Sequence, residues 1–179
     1  TSGTTGRPRP VLQRHAELVA RTRVYAGAIE LHPGDRYCTA SPFYHVAGMG
    51  MTLVALGAGA TVIPLAAFSV DSWVSLRDLA ATHALLVPTM IDMLTAEGRF
   101  DIGLRVLQYG AAPIHPDTLA AAMRDAPATR LIQIFGQTEV SPITRLSHDD
   151  HVRASAGSPH LLGSVGRACE GVELRIDDE

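Results

Sequence analysis

Apolar and polar positions in this chain change over in blocks whose periods alternate between helix and strand. Across residues 14–31, apolar side chains recur at helical spacing (Leu18, Val19, Val24, Ala26, Ile29) with charges between them, which predicts an amphipathic helix. The turn-forming run His32-Pro33-Gly34-Asp35 ends it. Residues 37–41 read as a short strand, 46–56 as a buried helix, 57–60 as a glycine-containing turn, and the β-branched stretch 61–65 as a strand. The same rhythm continues. It predicts a helix over 71–82 capped by Asp71, a strand over 84–87, and a helix over 88–97 with proline in its first turn. A strand over 104–109, a helix over 115–124 opened by Pro116 and a strand over 130–135 follow. After Gly136 the rhythm stops until residues 171–176, which alternate like a half-exposed strand.

Strands alternating with helices predict an α/β fold, a layered, mainly parallel sheet flanked by helices on both faces. The most apolar stretch, 43–67, is long enough to suggest a membrane span. It is interrupted by His45, Gly48, Gly50, Gly57, Gly59 and Pro64, so a buried helix, a turn and a strand explain it better. Composition narrows the class further. The 179 residues are 46% apolar and 18% charged, enough for a real core. A net charge of −3 argues against nucleic acid or an anionic membrane as the main partner. Cys38 and Cys169 lie far apart and form no CxxC, so both are expected as free thiols in a reducing, cytoplasmic setting. No signal peptide is visible, and the abrupt start at Thr1 and stop after a predicted strand suggest a piece of a longer protein.

The chain opens on TSGTTGRPRP, which has almost nothing to bury. Ser2, Thr4 and Thr5 supply hydroxyl donors, Gly3 and Gly6 let successive backbone N–H groups converge, and Arg7 and Arg9 add positive charge. Together they make an anion cradle for which phosphate is the usual guest, although a flexible polar terminus has the same composition. The stretch is neither a Walker loop nor a dinucleotide fingerprint, because Gly6 is followed by Arg7-Pro8 and no G-x-G-x-x-G is present.

TSGTTGRPRP resembles the T-S-G-T-T-G-x-P-K-G signature of adenylate-forming enzymes, the superfamily of acyl-CoA synthetases, luciferases and peptide-synthetase adenylation domains. Four further segments match that family in order: SPFYHVAGM (41–49), LQYGAAPIHPDTL (107–119), IQIFGQTEVSP (132–142) and GSVGRACEGVELRI (163–176). The resemblance implies the central part of the family's large N-terminal domain, without the C-terminal domain that carries a catalytic lysine; this chain alone is then expected not to turn over. It also implies a reaction. A carboxylic acid attacks the α-phosphorus of ATP, pyrophosphate leaves, and the acyl-adenylate is captured by coenzyme A. The resemblance assigns Thr1, Ser2, Gly3, Thr4, Thr5, Gly6 and Arg9 to the β- and γ-phosphates. Glu139 is assigned to Mg²⁺, Thr138 to the α-phosphate, and Gly110, Ala111, Ala112 and Pro113 to adenine with Phe135 stacking opposite. Gly136 and Gln137 belong to the same nucleotide site, and His45 stands at the mouth of an acyl pocket lined by Gly48, Met49 and Val140. Four positions depart from the pattern: Arg9 for lysine, Pro10 for glycine, Phe135 for tyrosine and Ala168 for proline.

Each assignment has a blander counterpart. Thr138 and Glu139 could cap a helix or lie in a solvated turn, residues 110–113 could be a close-packed turn, and His45 could be a satisfied core histidine. His148 and His151 share a helix face in zinc-ligand spacing. No further cluster supports a metal there, and the family has a polar, acidic surface segment at this point. Within the same chemistry, a fatty acyl-AMP ligase serving an acyl carrier protein and an amino-acid adenylation domain stand as alternatives. The latter usually carries an aspartate in the segment that here reads SPFYHVAGM. A non-catalytic nucleotide- or acyl-binding relative is the alternative of another class.

Overall fold

The computed structural model describes residues 10–177. Its elements run α1 (His15–Ala28), β1 (Arg36–Thr39), α2 (Val46–Gly57), β2 (Thr61–Pro64), α3 (Val70–Ser75), β3 (His83–Leu86), α4 (Pro88–Ala96), β4 (Val106–Gly110), α5 (Pro116–Asp125), β5 (Arg130–Phe135), β6 (Thr144–Leu146), α6 (His148–Ser155) and β7 (Arg167–Ala168), with a 3₁₀ turn at Pro159–Gly163. One sheet holds all seven strands in the order β2-β1-β3-β4-β5-β6-β7. The first five are parallel, and β6 and β7 add on antiparallel. The predicted layered α/β architecture is therefore the observed one.

Successive strand residues feed two cores, one on each face. On one face Leu107, Tyr109 and Leu131 pack with Trp73, Ile91, Leu94, Leu119 and Ala122 from α3, α4 and α5. On the other, Tyr37, Val106, Ile132 and Ile134 pack with Tyr25, Ala26 and Ala28 of α1 and Met51, Val54 and Ala55 of α2. All five residues of β4 are buried, which is why this strand reads as a continuous rather than alternating run. The polar member, Gln108, is held by its own donor to the Tyr25 hydroxyl at 2.5 Å.

Three sequence expectations change. The helix after β2 is α3, capped by Ser69, whose hydroxyl accepts from Ser72 N–H while Asp71 sits in the first turn and pairs with Arg99. Residues 171–176 form no strand; an alternating pattern specifies a face but not the neighbour whose backbone would complete the ladder. The region after Gly136 is ordered instead as β6, α6 and β7. In α6, Asp149, Arg153 and Ser155 lie on the surface, while Asp150 and His151 turn inward and are buried. His151 meets the Tyr109 hydroxyl at 2.7 Å, and His148 Nδ1 accepts from Leu131 N–H, so both histidines are used by the fold. Among the described residues no group of three or more His, Cys, Asp or Glu could hold a metal ion. Both cysteines are free and buried, and burial pushes the Cys38 thiol up to about 12, which makes it a poor nucleophile. No described helix is long and apolar enough to cross a membrane.

Candidate active site

Parallel strands deliver their following loops to one edge of the sheet, the place where open α/β sheets bind ligands. The loops after β1, β4 and β5 carry the candidate residues His45, 110–113 and 135–140. The pairing of Gly110 with Ile134 sets the second and third of these side by side. A Cβ on Gly110 would stand 2.4 Å from the Ile134 carbonyl oxygen, so glycine is required for the two strands to pair there. Ala111 then turns with φ at 69°, a left-handed conformation that a non-glycine residue adopts only under constraint. Ala111, Ala112 and Pro113 are all exposed beyond it. Phe135, at the end of β5, is 47% exposed although it is aromatic and lies in the sheet. This is an open apolar ring face beside a strip of small side chains.

The turn after β5 is tight. Gln137 N–H donates to the Val140 carbonyl, and a Cβ on Gly136 would meet the Ser141 hydroxyl oxygen at 2.6 Å. Thr138 is half-buried and Glu139 exposed, so neither caps a helix. The chain reaches this turn from another direction too. Gln13 Nε2 donates to the Thr138 carbonyl oxygen at 2.8 Å across 125 positions of sequence. The residues that directly follow the opening TSGTTGRPR thus lie against Thr138. The assignments on Thr1, Ser2, Gly3, Thr4, Thr5, Gly6 and Arg9 fall outside the described residues.

His45 is exposed and is the N-cap of α2, not a core histidine. Its Nδ1 accepts from Ala47 N–H at 3.1 Å, which leaves the neutral ring's proton on Nε2, a donor facing away from the cap. A groove of about 350 Å³ runs past it, lined among others by Gln13, Phe43, His45, Met49, Leu53 and Thr138. Of the residues expected around an acyl pocket, Met49 lines this groove. Gly48 does not; it is buried where α2 crosses Pro42, and a Cβ there would stand 2.2 Å from the Pro42 carbonyl oxygen. Val140 is absent from the groove lining and belongs to the turn. Sequence reasoning missed Gln13 and Arg21, which also lines the groove. Neither belongs to a motif; only the tertiary placement of α1 brings them here.

A second cavity, of about 380 Å³, opens on the same face as α1 but beside β6 and β7, between Arg145, Asp150, Arg167 and Cys169. Three of its charged residues are paired within the fold: Asp150 accepts from Arg167 and Ser147, and Arg145 pairs with Glu30.

Comparison with known proteins agrees with this arrangement. A family profile described as AMP-binding enzyme matches residues 1–179. Indoleacetate–CoA ligase of Aromatoleum aromaticum is 33% identical over 184 residues, covering 98% of this chain and 34% of the relative. The solved amide bond synthetase McbA of Marinactinospora thermotolerans superposes with a TM-score of 0.88 at 30% identity, over 100% of this chain and 36% of that one. The O-succinylbenzoate coenzyme A synthetase of Bacillus subtilis, solved with ATP and magnesium ion, superposes at 0.85 and 28% identity, over 100% and 36%. The chain thus spans about a third of the length of the proteins it matches. With the family profile running over its whole length and its sheet, loops and groove arranged as above, this chain belongs to the AMP-binding enzyme family.

Proposed function

We propose that this chain is the nucleotide- and acid-binding core of an AMP-forming acid–thiol ligase, the central part of the large N-terminal domain of a longer enzyme. The observation that carries the reading is the convergence at one sheet edge. Gln13 donates to the Thr138 carbonyl, and both share a groove with His45. A phosphate-holding loop, a carboxylate-bearing turn and an apolar groove are the three parts that the reaction needs.

In this reading the acid lies in the groove against Phe43, Met49 and Leu53, whose apolar character suits a fatty or aromatic chain. His45 Nε2 donates to a carboxylate or acyl oxygen and so orients it. The carboxylate oxygen bonds to the α-phosphorus of ATP, and the bond from that phosphorus to the pyrophosphate oxygen breaks. Thr138 donates to the α-phosphate, while the hydroxyls and N–H groups of residues 1–6, with Arg9, hold the β- and γ-phosphates and the departing pyrophosphate. Adenine lies between Phe135 and the strip Gly110-Ala111-Ala112-Pro113. Two anions are brought together in the first half-reaction, so positioning and charge neutralisation carry much of the rate. Glu139 fits a Mg²⁺ role: a Mg²⁺ ion takes most of its ligands from phosphates and water and asks the protein for one or two carboxylates. When bound, the ion neutralises phosphate charge. The thiol of coenzyme A then attacks the acyl carbon of the adenylate, forming the thioester and releasing AMP as the acyl–phosphate oxygen bond breaks, with an acyl carrier protein as the alternative acceptor, in a cytoplasmic setting.

The test is ATP–pyrophosphate exchange on the full-length parent protein with a panel of short, long and aromatic acids, beside a Glu139→Ala variant. Acid-dependent exchange that collapses in the variant supports adenylation. A folded parent that exchanges with no acid points to a binding module without catalysis. Supplying coenzyme A or a loaded carrier protein in the second half-reaction separates the two acceptors.

A further inference from the structure

The proposed groove contains one group that the adenylation chemistry does not use. Arg21, on the second turn of α1, lines it together with Phe43, His45, Met49 and Leu53. Its neighbours there are mostly apolar, it is half-buried, and burial lowers its pKa from the ordinary guanidinium value. Among the described residues no acidic side chain forms an ion pair with it and no hydrogen bond uses its donors. The other half-buried arginines behave differently: Arg130 and Arg145 both grip Glu30, and Arg36 donates to the Leu79 carbonyl oxygen. The guanidinium packs beside Gly50 in the middle of α2, where a Cβ would stand 3.5 Å from an Arg21 terminal nitrogen, an ordinary van der Waals contact.

A half-desolvated cation without an internal partner is costly to maintain unless something else completes it. We propose that Arg21 is a specificity residue of the acid site: the substrate carries a second acceptor group, a carboxylate or a ring carbonyl distal to the reacting carboxylate, and Arg21 binds it. The inference rests on the adenylation reading for the identity of the first carboxylate. The preference should be strong, because a site built around a hydrogen-bonding group discriminates sharply against the analogue that lacks it.

The experiment compares acids matched in length, one ending in methyl and one in a carboxylate, on the full-length parent and its Arg21→Leu and Arg21→Lys variants. Two readouts are taken: exchange kcat/KM and calorimetric Kd for each acid. The parent is expected to favour the second-acceptor acid, and Arg21→Leu to reduce the ratio between the two acids about 10- to 100-fold, the size of a lost charge-assisted hydrogen bond. Arg21→Lys, which keeps the charge but not the fork, should retain part of the preference. A ratio that is the same in the parent and Arg21→Leu overturns the proposal, because a merely structural arginine would move both acids together. Exchange with no acid defeats the adenylation reading instead, and the calorimetric ratio then decides the role of Arg21 by itself.

Discussion

At the amino ends of β1, β3, β4 and β5, charged side chains meet charged side chains. Glu30 takes Arg130 and Arg145, and Asp35 takes Arg105 and lies 3.9 Å from the buried His83. At the carboxyl ends of β1, β4 and β5 the pattern reverses. Among the described residues Glu139 and Arg21 form no ion pair, His45 presents a free ring nitrogen, and Phe135 leaves its face open. The sheet and the chain are the same, yet one edge closes its interactions inside the fold and the other leaves them open. The difference teaches how to separate structural from ligand-directed groups. A charge that the fold has already neutralised contributes stability, whereas one left unmatched is available to a substrate.

Exchanging the roles of two glutamates gives the largest expected effects. Glu139→Ala in the full-length parent should lower ATP–pyrophosphate exchange about 100- to 1,000-fold, the usual cost of removing a group that stabilises developing charge. Its unfolding free energy should stay within about 0.5 kcal/mol of the parent, because the residue is exposed and forms no ion pair among the described residues. Glu30→Ala should do the opposite, leaving exchange intact in the folded protein and reducing stability by about 2 kcal/mol as Arg130 and Arg145 lose their common partner. Glu30 also ends α1 in the left-handed region at φ 57°, with Leu31 N–H bonded to the Ala26 carbonyl and Glu30 N–H to that of Gly27. Glycine is the usual residue at this position. Glu30→Gly should therefore be less destabilised than Glu30→Ala, by about 1 kcal/mol, in chemical denaturation. Equal values would mean that the ion pairs impose no conformational cost.

The next effect concerns pH. Hydrogen bonds from the Ser147 hydroxyl, then the Arg167 guanidinium, hold the buried Asp150 carboxyl down at about 2. A depressed carboxylate stabilises the fold fully above its unfolded value near 4, and that contribution is lost as pH falls toward 2. It amounts to about 2 kcal/mol, so Asp150→Asn should lose about that much at pH 7 and show a flatter acid limb. Burial also lowers the pKa of His83, His148 and His151 below 6.5. The unfolded chain protonates these groups first, so stability should begin to fall as pH drops through about 6.5, before Asp150 is affected. A stability curve flat from pH 7 to 5 would contradict this.

How much of this was legible in the sequence follows from the same contrast. The strand over 130–135 was readable to its bounds because its mainly apolar run is buried from Leu131 to Ile134 and flanked by polar turns. The helix α6 was not, because its buried side chains, Asp150 and His151, are polar and find their partners only in the folded chain. Its start was nonetheless written in Ser147-x-x-Asp150, whose side chains cap each other's backbone N–H groups. Motif residues such as 110–113 and 136–139 announce themselves because their residue types are unusual for a core. Gln13 and Arg21 are ordinary helix-flank and helix residues by type. What makes them candidates is the sequence-distant turn or groove that they reach.

The smallest expected effect tests whether the open edge is positioned by the closed fold. If the hydrogen bond from Gln13 Nε2 holds the Thr138-Glu139 turn, removing the donor should weaken the site without unfolding the protein. Gln13→Leu should lower kcat/KM for ATP about 2- to 10-fold, the value of a neutral hydrogen bond of roughly 0.5–1.5 kcal/mol. Gln13→Glu is the sharper probe. It keeps the shape, but its ionised carboxylate has no proton to donate to the Thr138 carbonyl, so it should fall at least as far as Gln13→Leu. The loss should appear for ATP more than for the acid, because the bond fixes the nucleotide turn and not the apolar floor at Met49 and Leu53. A Gln13→Glu variant as active as the parent would mean that the turn holds itself through the Gln137 N–H bond to Val140. The contact between Gln13 and Thr138 would then be proximity without mechanical consequence.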